Sequence, residues 1–74
     1  MENNGWDVVD VVSSVINKVG FNETDHDLFI EFKSGKQYLY HEVPKDEFDS
    51  LVNAESVGEY FAENIKEDFD CMEI

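Results

Sequence analysis

The sequence predicts an α+β domain: a three-stranded antiparallel sheet followed by two C-terminal helices, with an N-terminal helix or arm ahead of the sheet. Three observations carry this. Leu28, Ile30 and Phe32 alternate with Phe29, Glu31 and Lys33, the two-residue period of a half-buried strand. Ser34-Gly35 then separates that run from Tyr38-Leu39-Tyr40, which makes a hairpin. Val43-Pro44 closes the second strand, and the spacing beyond it turns helical.

Residues 6–12, WDVVDVV, satisfy two patterns. Val8, Val11, Val12, Val15 and Ile16 form a helical stripe that Asn3 or Asn4 would cap. The β-branched content favours extended structure instead. A short helix or an extended arm leading into a strand is expected, with Trp6 packing on the core or serving a partner. Residues 13–21 read as the first strand, where Gly20 marks a bulge or a close backbone approach. Residues 22–27, NETDHD, form a polar turn, and His26 within it reads as a solvated loop residue.

The hairpin register depends on its turn. A two-residue turn at Ser34-Gly35 sets Leu39 opposite Ile30. A three-residue loop with Gly35 left-handed and a bulge sets Tyr38 and Tyr40 on the face of Leu28, Ile30 and Phe32. The second gathers the large side chains on one face and is preferred; Phe29 and Glu31 then point the other way. Residues 45–55 follow as a helix, with Phe48, Leu51 and Val52 inward. Ser56-Val57-Gly58-Glu59 matches a capping box that opens a second helix. Its buried stripe is Val57, Phe61, Ile65 and Phe69, and residues 71–74 read as a tail.

Seventy-four residues form one domain, spanning residues 1–74. A chain of this size buries only about 60% of its unfolded surface. A second copy is the natural supplement, so a homodimer is expected. The one cysteine, Cys71, excludes an intrachain disulfide and points to a cytoplasmic home. No apolar run approaches the roughly 20 residues of a membrane span.

Charge excludes more than it identifies. Eighteen carboxylates oppose five lysines and no arginine, for a net charge of −13. Direct binding of nucleic acid needs a cationic face and is not expected. No P-loop, dinucleotide fingerprint or nucleophile–base motif occurs, so the chain reads as non-enzymatic. No cofactor or metal is implied: Glu42, Asp46, Glu47 and Asp49 do not have EF-hand spacing. Cys71 lies among acids, which disfavours its thiolate.

The ordered run of motifs resembles the KTSC domain family. The matching residues are Ser13-Ser14, Val19-Gly20-Phe21-Asn22, the Leu28 to Phe32 strand, Gly35, Tyr38-Leu39-Tyr40, Val43-Pro44, Ala54 to Gly58, and Phe61 to Lys66. The family takes its name from lysyl-tRNA synthetase C-termini and also occurs as small stand-alone proteins in bacteria and phages. The resemblance implies a fold more than a biochemical role. Members often carry basic residues near the last helix; here Lys66 stands alone among acids.

Two binding functions are expected from these features. The first is mimicry of DNA charge. Asp46, Glu47 and Asp49 on the first helix, with Glu59, Glu63, Glu67, Asp68 and Asp70 on the second, would present carboxylates in place of phosphates. A phage-type inhibitor of this kind would occupy a basic, nucleic-acid-binding host protein such as an HU-like nucleoid protein. The alternative is sequestration of a small nucleotide signal in a pocket between subunits. Tyr38 and Tyr40 would stack on bases, as would Phe29 or Trp6, and Lys33, Lys36 and Lys66 would meet phosphates.

Overall fold

The computed structural model describes residues 5–74. Five strands form one antiparallel sheet in sequence order: β1 (Trp6–Asp10), β2 (Ile16–Asn22), β3 (Asp27–Phe32), β4 (Gln37–Tyr40) and β5 (Cys71–Glu73). Helices α1 (Lys45–Val52) and α2 (Val57–Asn64) fall between β4 and β5. The α+β class, the antiparallel sheet and the two helices agree with the sequence. The sheet, however, has five strands rather than three, because both of its edges come from segments expected to be something else.

The first edge is β1, in place of the N-terminal helix or arm. Ser13 accepts hydrogen bonds at Oγ from the Val15 and Ile16 amides (3.1 and 3.2 Å). This turns the chain between Val12 and Ile16, so no helix runs through the stripe of valines. β-Branched residues freed from a helix suit a pleated strand, and β1 pairs from Trp6↔Asn22 to Asp10↔Lys18. The proposed caps Asn3 and Asn4 lie outside the described residues. The second edge is β5, where a tail was expected. His41 donates to the Asp70 carbonyl, and Ile74 to that of Gln37 (both 2.9 Å).

β2 starts at Ile16 rather than Ser13, and its irregularity lies between Ile16 and Lys18. That extra residue shifts the side-chain parity. Ile16 therefore shares the buried face with Val19 and Phe21, all fully buried. Gly20 is neither of the two alternatives: the bulge lies between Ile16 and Lys18, and the neighbours of Gly20 stand at ordinary van der Waals distance. A Cβ there would stand 3.5 Å from the Asp7 carbonyl, from Trp6 Cε3 and from Val8 Cγ2.

The β3–β4 hairpin has the three-residue loop. Gly35 has φ of +99° and donates to the Phe32 carbonyl, while Phe32 donates to that of Lys36 (both 2.9 Å). Leu28 is thus paired with Tyr40 and Ile30 with Tyr38. Pro44 precedes α1 in extended backbone rather than entering its first turn. α1 stops at Val52, where Asn53 bonds the Asp49 carbonyl through both its amide (3.2 Å) and its side chain (2.8 Å). Ser56 caps α2 by accepting from the Glu59 amide at 3.2 Å. Asn64 returns a side-chain bond to the Tyr60 carbonyl (3.2 Å), and α2 ends there. Val57, Phe61 and Ile65 are buried as expected, whereas Phe69 is half-buried beyond the helix.

Both helices pack on one face of the sheet. Phe21, Leu28, Ile30, Leu51 and Ile65 fill the layer between, and Phe21 stacks on Phe48 at 5.2 Å. Trp6 is half-buried over Gly20 rather than in this core.

Candidate functional site

A groove of about 1140 Å³ opens where the hairpin tip, the start of α2 and the 12–15 turn meet. Each wall follows from a local feature. The bulged loop at Gly35 holds Lys33 and Lys36 at one rim. The Ser13 turn sets Val12 and Val15 at another, where Val12 is 99% exposed. Gly58 lets this turn rest on α2: a Cβ there would lie 2.7 Å from Val15 Cγ2 and 3.3 Å from Ser13 Oγ.

The floor is aromatic. Tyr40 meets Phe61 edge-on at 5.5 Å, Phe61 meets Phe32 at 5.6 Å, and Phe32 meets Tyr38 at 5.8 Å. Edge-to-face rings at these distances fix one another's orientation. Tyr40 is buried and Tyr38 half-buried, so Tyr38 presents more of its ring to a ligand. Burial pushes the Tyr40 hydroxyl far above the ordinary tyrosine range, and the neighbouring Cys71 adds to this. Tyr40 is therefore a neutral hydrogen-bonding group at any physiological pH.

The expected ligand residues Lys33, Lys36, Tyr38, Tyr40 and Lys66 all line this one groove. A single chain brings them together, without a second subunit. Phe29 and Trp6 do not line it. The lining has three lysines against Glu55 and Glu59, in a chain where acids outnumber lysines eighteen to five. Among the described residues, no carboxylate lies within 4 Å of Lys33, Lys36 or Lys66. Lys45, by contrast, is held by Glu23 and Asp49 at 3.5 Å each.

The acidic set is dispersed. Asp46, Glu47 and Asp49 lie on α1, and Glu59 and Glu63 on α2. Glu67, Asp68 and Asp70 were expected to extend the helical array, but they follow the end of α2. Glu47 is half-buried and accepts from the Tyr60 hydroxyl at 2.7 Å, a bond that raises the tyrosine's pKa. The other seven are exposed. His26 is exposed in its turn. Among the described residues, no three His, Cys, Asp or Glu side chains are grouped to hold a metal.

The KTSC domain family matches residues 12–69, and the chain belongs to that family. The match contains every groove residue except Cys71. A protein from Tsukamurella paurometabola is 39% identical over 62 residues, covering 84% of this chain and 92% of its own length. An uncharacterized protein from Stutzerimonas stutzeri is 33% identical over 54 residues, 73% of this chain and 76% of that one. The crystal structure of a KTSC domain protein from Yersinia pestis superposes with a TM-score of 0.87 at 31% identity, over 93% of this chain and 97% of its own. No helix among the described residues is long and apolar enough to cross a membrane.

Proposed function

We propose that this chain is a non-enzymatic binding module whose groove takes a small anionic ligand with an aromatic ring, a nucleotide by class. One observation carries the reading: three of the five lysines, with no ion-pair partner among the described residues, converge on an aromatic-floored groove in a chain of net charge −13. Most of the surface repels an anion, so a cationic rim confines it to one place. Lys33 and Lys36 would meet phosphate at the hairpin tip, Lys66 would meet it from the α2 side, and Tyr38 would offer a ring face. Stacking of one base on an aromatic side chain contributes about 1–3 kcal/mol.

Calorimetry against mononucleotides and cyclic dinucleotides tests this. Binding that weakens at least about tenfold in Lys33→Ala/Lys36→Ala supports it, about 1.4 kcal/mol. No heat and no thermal shift with any member of the panel removes it.

A second reading rests on the seven exposed acids of the set. These would bind the DNA-contacting surface of a basic protein, such as an HU-like host protein met by a phage-type inhibitor. Such binding would be competitive with DNA and fall steeply with salt. Failure to capture a basic protein from bacterial lysate at low salt would remove it.

A further inference from the structure

The groove has two apolar walls, and each has a lysine fixed beside it. One wall is the ring cluster of Tyr38, Tyr40 and Phe61; the other is Val12 and Val15 on the turn ahead of β2. The Lys66 amide donates to the Phe61 carbonyl at 2.9 Å, and the Lys33 amide to the Val15 carbonyl at 2.8 Å. Lys36 stands with Lys33 on the hairpin loop. Val12 and Val15 are 99% and 49% exposed. Single apolar residues in water are ordinary, but these two stand together in the wall of a cavity, where a ligand would cover them. The groove's volume of about 1140 Å³ exceeds the roughly 300–1,000 Å³ of sites for drug-sized molecules. One base with its phosphate therefore leaves part of it unfilled.

We infer that the groove takes a cyclic dinucleotide: two bases, two diester phosphates and no terminal phosphate. This deepens the nucleotide reading above and rests on it. One base stacks on Tyr38. The other covers Val12 and Val15, which gain by leaving water. One diester meets Lys66 and the other meets Lys33 and Lys36, so each base–phosphate unit has its own wall and its own cation. Charge selects the diester. Three lysines against Glu55 and Glu59 leave the lining a single positive charge in excess, in a chain whose net charge is −13. A diester phosphate carries about one negative charge, whereas a terminal phosphate carries about 1.5–2. A nucleoside triphosphate crowds its charge at one end and leaves the second wall bare.

Calorimetry on the full chain with three probes tests this, in an adenine and a guanine series: the cyclic dinucleotide, the cyclic mononucleotide and the 5′-triphosphate. In at least one series the cyclic dinucleotide should bind at least about tenfold more tightly than the other two. Val12→Ser should weaken the cyclic dinucleotide at least about fourfold, the factor for about one lost methylene contact. It should leave the cyclic mononucleotide within about twofold, because the single base takes Tyr38. Val12 is 99% exposed, so the melting profile of the variant should stay wild-type. A triphosphate or cyclic mononucleotide that binds as tightly as the cyclic dinucleotide in both series overturns this inference and leaves the nucleotide reading standing. So does a cyclic dinucleotide affinity unchanged by Val12→Ser. No binding by any probe overturns both.

Discussion

Phe61→Ala should bring the protein close to unfolding. Phe61 is 5% exposed and belongs at once to the core and the groove floor, with Phe32 at 5.6 Å and Tyr40 at 5.5 Å. Truncating a buried phenylalanine costs about 3–5 kcal/mol, part transfer and part cavity. Within that total, each edge-on aromatic contact accounts for about 0.5–1.5 kcal/mol. Folding free energies run at about 0.05–0.15 kcal/mol per residue, which gives roughly 4–11 kcal/mol for this length. The variant thus loses between about a quarter and all of its stability. Urea denaturation followed by circular dichroism is the assay. With a slope near 1 kcal/mol per molar for so small a chain, the midpoint should fall by about 3–5 M. Phe61→Leu, which keeps much of the volume, should recover part of the loss. A midpoint shift below about 1 M for Phe61→Ala would show that this ring does not join helix to sheet.

Three further outcomes follow from local geometry. Gly35→Ala should cost about 1 kcal/mol by urea denaturation, since φ is +99° but the site is otherwise open; no loss would argue against the left-handed turn. Ser56→Ala should cost a similar amount, about 1 kcal/mol, by removing the acceptor for the Glu59 amide, and Ser56→Asp should restore it. Hydrogen bonds from Gln37, then from Asn17, hold the Glu31 carboxyl below the ordinary glutamate range. Its stabilisation is therefore present above the unfolded pKa and lost as pH falls through the lowered one. Carboxyl-detected NMR should show Glu31 titrating below the exposed glutamates, and a midpoint at or above theirs would contradict the bonds.

The hairpin was legible because Gly35 and strict alternation act locally: one left-handed residue fixes the register of both strands. The Ser56 cap of α2 was legible for the same reason, though only the half in which Ser56 accepts from the Glu59 amide forms. β1 was not, because its valines satisfy both a helical and an extended period, and the choice is made by Ser13, whose hydroxyl turns the chain. β5 is an edge strand of three residues held by backbone bonds, so its side chains record no pattern. Lys33, Lys36, Tyr38 and Tyr40 could be grouped from the hairpin. Lys66 reaches them only through packing of α2. Val12, Val15 and Cys71 joined the groove unannounced, since a wall built by three distant segments has no sequence period. The lack of a side chain at Gly58, inside the Ala54 to Gly58 motif, was the nearest available signal. The acidic set failed as a continuous helical array because Asn64 ends α2 before Glu67.

The most direct test of the groove is an amide NMR titration of the full chain with a cyclic dinucleotide. Binding there predicts shifts concentrated at residues 13–15, at Lys33 to Lys36 and at Ser56 to Gly58, and their loss in Lys33→Ala/Lys36→Ala. Shifts confined to Val8, Phe29, Leu39 and Met72 on the far face of the sheet, or none at millimolar ligand, would contradict it.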